Sequence, residues 1–275
     1  MTTAATATIQ EIHPLDIPEI RTLLAKFLTR HDRAVCSLIS RVWNKTFDPL
    51  LWHEFTIVPK TSVPGSSALQ DLPAEVVHRH ADHVEKLVCT GKEKKTYLEH
   101  LDFPHLKDLS FQDAYYEYQP DFVRRHQGSL KHLFYTGGGG QGDYEKFNSD
   151  MWVAAASCPS LESLVTQNAH VYYKDWPMVW GLWSRLRSLH LSSFNFRVVD
   201  FHPLTRRIEV PVEFWDDVNK IKIKDLVLHG VGGLRHAVLQ DELFMLLNCP
   251  ELEKLRGLPI WFPFGVVTSS RLARC

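Results

Sequence analysis

Three groups of residues in this chain have types and spacings that could do chemistry. Gly137 to Gly140, followed by Gln141, Gly142 and Asp143, offers the backbone amides that cradle a phosphate, but no Lys-Ser or Lys-Thr pair follows to complete such a loop. The run is expected to be a flexible insertion. His78, His80 and His83 are the tightest group among 15 histidines, and no cysteine lies near to finish a metal site. His80 and His83 fit one helical face while His78 points elsewhere, so a solvent-facing helix is expected. Trp176, Trp180 and Trp183 fall at helical spacing and resemble an aromatic cage, but such a stripe belongs in a core, with Pro177 in the first turn of its helix. No nucleophile elbow, H-E-x-x-H pair or paired carboxylate signature is present. The chain is expected not to be an enzyme, with no catalytic residue, metal or cofactor.

Composition narrows the partner classes. The 275 residues, 44% hydrophobic and 23% charged, suit a small module plus a larger domain. A formal charge of −1 and a pI near 6.9 give no basis for a nucleic-acid or acidic-membrane partner. The five cysteines, Cys36, Cys89, Cys158, Cys249 and Cys275, are widely separated without a C-x-x-C pair and read as free thiols of a reducing compartment. MTTAATATIQEI lacks a basic segment followed by an apolar run, so no secretory signal is expected. No stretch reaches the roughly 18 apolar residues of a membrane helix. Cytoplasm, nucleus or both are the expected location.

The elements that would position a site begin with helices. Asp16 is expected to cap the first, with Pro18 in its first turn and Glu19 at its third position; Ile17, Ile20, Leu24, Phe27 and Leu28 share a face. Thr29 and Asp32 repeat the start signal for a second helix marked by Val35, Leu38, Ile39 and Val42. Trp43, Phe47, Leu50 and Leu51 mark a third. Three such helices bury too little surface to stand alone, so they lean on a neighbouring domain or a partner.

The run Ile17-Pro18-Glu19-Ile20, Phe27-Leu28, Ile39-Ser40-Arg41-Val42-Trp43 and Pro49-Leu50-Leu51-Trp52 resembles an F-box in order and spacing across residues 14 to 55. Ile17 stands where a leucine is usual, and Glu19 follows Pro18 directly. The resemblance implies that residues 14–58 dock on a Skp adaptor, and through it on a cullin scaffold, by way of Ile17, Pro18, Ile20, Leu24, Leu50, Leu51 and Trp52. Residues 1–13 are expected to be a disordered tail, and 59–72, PKTSVPGSSALQDL, a linker.

From residue 73 onward a motif recurs: apolar, two variable residues, leucine, one variable residue, apolar. It centres on Leu87, Leu109, Leu133, Leu164, Leu189, Leu226 and Leu255, most of them about 20 to 29 residues apart, the period of leucine-rich repeats. Helices are expected around Phe122 to Arg125, Met151 to Ala156, Trp176 to Trp183 and Glu242 to Leu247. The lead-ins Cys158-Pro159-Ser160-Leu161 and Cys249-Pro250-Glu251-Leu252 nearly repeat each other and resemble those of F-box proteins with leucine-rich repeats. The asparagine or cysteine usual after the third apolar residue is missing, with Ala114, Ala169 and Phe194 in its place. GVVTSSRLARC offers no amphipathic cap, so a short or truncated array is expected.

The expected fold is α/β: a short three-helix F-box, then an irregular leucine-rich-repeat solenoid over 73–275, with parallel strands alternating with helices. The variable strand residues would line its concave face and bind a target protein. Asp108, Ser110, Gln112, His132, Phe134, Ser163, Val165, Ser188, His190, Asp225 and His229 are the candidates. The resemblance implies the substrate-recognition subunit of an SCF-type (Skp-cullin-F-box) ubiquitin ligase, with neither nucleic acid nor membrane as partner. The alternative is a non-catalytic leucine-rich-repeat scaffold unconnected to ubiquitin transfer.

Overall fold

A computed structural model describes residues 13–57, 73–90, 100–112, 118–137, 144–193, 195–197, 222–229, 251–256, 260–262 and 265–267. The expected tail up to residue 12, the linker 59–72, the glycine run from Gly138 to Asp143, the helix at Glu242 to Leu247 and the last eight residues lie outside them. Seven α-helices are described: α1 (Pro18–Ala25), α2 (Arg30–Ser37), α3 (Arg41–Trp52), α4 (Ala74–Arg79), α5 (Gln119–Arg125), α6 (Tyr144–Ala156) and α7 (Trp176–Arg185). The strands are β1 (Glu54–Ile57), β2 (Lys86–Thr90), β3 (Asp108–Gln112), β4 (His132–Thr136), β5 (Ser163–Gln167), β6 (His170–Tyr172), β7 (Ser188–Ser192), β8 (Asn195–Arg197), β9 (Asp225–His229), β10 (Lys254–Arg256), β11 (Ile260–Phe262) and β12 (Gly265–Val267).

Local chemistry sets the helix ends. Pro18 has no amide hydrogen to leave unpaired and forces the residue before it out of the helical region, so Ile17, at φ −77° and ψ 119°, is the N-cap of α1. Asp16, the expected cap, sits instead in a short 3-10 turn, Pro14–Asp16. Thr29 and Asp32 form the expected capping box, and the hydrogen bonds from Thr29 hold the Asp32 carboxyl below its usual range. The second helix stops at Ser37, short of Val42, because Ser40 starts α3 by accepting from the Trp43 amide.

Eight strands form one parallel sheet in the order β1-β2-β3-β4-β5-β7-β9-β10, so each new strand is laid beside the previous one in chain order. The sheet begins inside the segment expected to be purely helical: β1 pairs in register with β2, Phe55 beside Leu87 and Ile57 beside Cys89. The same register runs through Leu109, Leu133, Leu164, Leu189 and Leu226. These positions are buried, and so are most of those two residues on, against Val77 of α4, Phe122 and Val123 of α5, Met151 and Trp152 of α6, and Val179 and Trp183 of α7. Trp180 and Trp183 are core residues, as their spacing suggested. Ring contacts tie helices to strands: Phe122 lies edge-on to Phe111, and Trp152 edge-on to both Tyr135 and Trp183.

Just ahead of each strand the register is fixed by one repeated contact. The His53 carbonyl accepts from the amides of Glu85 and Lys86, at 3.0 and 2.9 Å. The carbonyls of Glu85, Lys107, Lys131, Glu162, Arg187 and Lys224 each take two amides of the next strand in the same way. The side chains at these positions form a ladder of their own: Lys107 reaches Glu85 at 2.6 Å, Glu162 lies between Lys131 and Arg187, and Lys224 meets Glu253 at 3.0 Å. The hydrogen bond from Lys107 holds the Glu85 carboxyl below its usual range. Lys107 beside Lys131 and Arg187 beside Lys224 are like-charged neighbours in the same row, so the ion pairs cover some junctions and not others.

At the far ends of the strands the chain turns sharply. Asn168 after β5 and Ser193 after β7 adopt left-handed backbone, at φ 53° and 49°, and β6 and β8 then pair as a second small parallel sheet. Gly137 holds the corresponding place after β4, where a Cβ would overlap the Asn168 carbonyl. Cys89 and Cys158 are buried free thiols, pushed up by burial to about 12 and about 11, and thus are poor nucleophiles. No helix among the described residues is long and apolar enough to cross a membrane.

One buried histidine makes stability sensitive to acid. His126, with its side chain 1% exposed, bonds through Nδ1 to the Phe122 carbonyl at 2.8 Å and through Nε2 to the Phe103 amide at 3.0 Å. Both bonds are made only if the ring is neutral with its proton on Nδ1. Burial lowers its proton affinity, against the opposing pull of the Phe122 carbonyl and of Asp102, whose carboxylate is 3.3 Å from Nε2. Because the folded pKa is depressed, the contribution to stability is complete above the unfolded value of about 6.5 and is lost as pH falls through the folded pKa. The urea midpoint of the native chain should therefore drop more between about pH 7.5 and about pH 5.5 than that of His126→Gln, which does not titrate at this position. Parallel losses in both proteins would contradict the assignment.

Candidate functional site: two docking surfaces

The N-terminal helices are built inside out. Among the described side chains of residues 13–53, those buried are Arg21, Ala25 and Phe47. Arg21 sits at the centre and donates through Nε to Thr46 Oγ1 at 3.1 Å and through Nη1 to the Leu15 carbonyl at 2.9 Å. Arg33 donates to the carbonyl that ends α1, Ala25, at 2.9 Å. Trp43 stacks on Phe47 at 5.5 Å. One guanidinium, that of Arg21, thus shares the interior with Ala25 and Phe47.

The apolar residues are outside instead. Of the nine exposed large hydrophobic residues among those described, eight lie here: Ile17, Ile20, Leu23, Phe27, Val35, Leu38, Ile39 and Val42, with Phe27 at 78% and Leu38 at 84% exposure. That concentration is unusual, because scattered single exposures are the norm on a soluble surface, and it makes this face a candidate interaction surface. Of the docking residues expected from sequence, Ile17, Pro18 and Ile20 are exposed, and Leu24, Leu50 and Leu51 are half-buried. Leu23, Phe27, Val35, Leu38, Ile39 and Val42 were absent from that set. Helical periodicity shows that residues share a face but not what covers it; the signal that was available is that three short helices carry more apolar side chains than they can bury.

Trp52 has a different role. It stacks on the His80 ring at 4.3 Å and 3°, lies 6.0 Å from Phe55, and packs against the main core. The other side of His80 is held by Asp48, 3.1 Å from Nδ1. His80 is therefore a junction residue between α3 and the turn Ala81–His83 rather than a solvent-facing one; His78 alone of the three is exposed. The junction exists because β1 begins two residues after α3 ends, which presses the last helical turn against the sheet. No group of three or more metal-ligating side chains occurs among the described residues.

The second surface is the sheet face opposite α4–α7, where strand register aligns the half-exposed side chains in rows. The first row reads Glu54, Lys86, Asp108, His132, Ser163, Ser188, Asp225 and Lys254. The second reads Thr56, Val88, Ser110, Phe134, Val165, His190, Val227 and Arg256; the third includes Gln112, Gln167 and His229. The sheet thus brings all eleven expected target-facing residues to one face. The middle row, half of it apolar (Val88, Phe134, Val165 and Val227), runs between a charged row and a polar one. Glu54 pairs with Lys86 at 3.0 Å and Asp225 with Arg256 at 2.7 Å. His190 lies 6.0 Å from His229, and its pKa is lowered by burial and then by the neighbouring His229 and Arg256. No protein-family model matches the chain, and no curated protein matches it in sequence.

Trp52 adds a side-chain contact to the coupling that β1 and the His53 carbonyl already make between helices and sheet. Trp52→Ala should lower the urea-derived stability of the whole chain by about 2 kcal/mol, whereas Leu38→Ala should change it by less than about 0.5 kcal/mol. Equal effects of the two substitutions would contradict that division of roles.

Proposed function

We propose that this chain is the substrate-recognition subunit of an SCF-type ubiquitin ligase, with residues 14–58 acting as an F-box that docks on the Skp adaptor and an irregular leucine-rich-repeat solenoid holding the target on its open sheet face. The observation that carries the reading is the exposed apolar surface of α1–α3 around a small interior of Arg21, Ala25 and Phe47. Each such side chain is worth about 1.5–3 kcal/mol when fully buried, so a partner covering several gains more than the module gains from its own interior. The resemblance of Ile39-Ser40-Arg41-Val42-Trp43 and Pro49-Leu50-Leu51-Trp52 to the F-box pattern supplies the partner's identity. Sequential, in-register parallel strands with helices on one face support the repeat reading.

No bond would be made or broken by this chain. The adaptor bridges to a cullin scaffold, and the open face holds a target protein close to a ubiquitin-charged enzyme, so that the rate gain comes from proximity. The stacked Trp52–His80 junction would help keep the two surfaces in a fixed relation, which such positioning requires.

Phe27→Glu and Leu38→Asp alter residues that the fold does not bury, so both variants should fold normally. In pull-downs with recombinant Skp adaptor each should lose about 2 kcal/mol of affinity or more, roughly 30-fold, while the native chain is captured. No capture of the folded native chain, or undiminished capture of both variants, contradicts the proposal and leaves a scaffold without ubiquitin transfer.

A further inference from the structure

The open face is not uniform. Between β2 and β5 it holds a depression of about 180 Å³ whose lining includes Lys86, Asp108, Ser110, His132, Phe134 and Val165. The register explains its origin. Val88, Ser110, Phe134 and Val165 stand side by side in the middle row, so the small Ser110 leaves a gap next to the Phe134 ring. The floor is sheet backbone, since Leu87, Leu109 and Leu133 are buried toward the helices. A cavity of about 150 Å³ accepts a benzene ring. The depression therefore matches one aromatic side chain, and Phe134 offers a ring to pack against it.

The rim charges set what lies beside that ring. Lys86 is already neutralised by Glu54 at 3.0 Å. Asp108 is not: its ion-pair contact among the described residues is His132 at 3.8 Å, which carries charge only when the imidazole is protonated. Among the described residues the dent is thus bordered by a carboxylate whose ion-pair contact is a histidine, with the neighbouring Lys86 engaged by Glu54. An acidic segment would meet repulsion there, and a basic one would complete the pair.

We infer that this depression is the anchor of the target-binding face and takes an aromatic side chain flanked by a lysine or arginine, with the ring over Ser110 against Phe134 and the cation on Asp108. The inference rests on the open face being the target-binding surface and narrows the target to proteins presenting an exposed aromatic-basic pair. Apolar contact supplies most of the affinity, and Asp108 supplies the choice between basic and acidic neighbours.

The test uses the full chain and three capped tetrapeptides, Gly-Phe-Lys-Gly, Gly-Phe-Glu-Gly and Gly-Ala-Lys-Gly, titrated to millimolar concentration with binding followed by NMR. The Phe-Lys peptide should bind at least about tenfold more tightly than the other two. Ser110→Trp, which fills the dent, should abolish that binding; Asp108→Asn should retain binding of the ring but lose the preference for Phe-Lys over Phe-Glu. Equal or absent binding of all three peptides, or a Ser110→Trp variant that binds normally, overturns the inference. Self-association of the native chain that Ser110→Trp removes would assign the dent to a second copy and also overturn it. Adaptor capture by the same preparations separates the two readings. A chain that selects Phe-Lys but fails to bind the adaptor sinks the ligase assignment alone, and one that binds the adaptor without peptide selectivity sinks this inference alone.

Discussion

A single carbonyl before each strand, accepting from two amides of the next strand, is the contact on which the rest of the molecule depends. It recurs seven times, from His53 to Lys224, and it forces every strand into the same register as its predecessor. Once register is fixed, all else on the sheet follows from the period of two. The central leucines align toward the helices, and the residues between them align in rows on the other face. Charged residues at these carbonyl positions form ion pairs at four of the junctions. These ion pairs are exposed and individually weak, so the backbone contact and not the charges sets the register.

The helical module inherits its position from that ladder. His53, which ends the helix, is also the first carbonyl of the series, and Trp52 occupies the lead-in position taken by Val84, Leu106 and Leu130 in later units. Helix and sheet therefore share a residue, with Trp52 stacked on His80 and packed on the core. Anchored at this end, the module can afford a small interior of Arg21, Ala25 and Phe47 and leave its apolar side chains outward.

Much of the sheet was legible in the sequence, because apolar-x-x-Leu-x-apolar specifies both the strand period and the inward face. All seven strands centred on that motif lie where it placed them, and the α/β class with a parallel sheet stands. The eighth strand was missed although its signal was present: Trp52, Phe55 and Ile57 have the same spacing, with a phenylalanine in the leucine's place and the tryptophan already assigned to a helix. The cap of α1 was misread because Asp16 is a good capping residue by type, while Pro18 fixes the boundary one residue later. The row of charges ahead of the strands, Glu85, Lys107, Lys131, Glu162, Arg187 and Lys224, was visible but has meaning only once the strands are known to be adjacent. The outward apolar face of the helices was least legible. A periodic apolar face looks the same whether its own domain or another protein covers it.

Hydrogen–deuterium exchange of the whole chain, with and without saturating Skp adaptor, tests the central claim most directly. The account predicts slowed exchange confined to residues 17–42 and the last turn of α3, with β3, β4 and β5 unchanged and still open to a target. Protection appearing on those strands, or no protection in α1–α3, would contradict it.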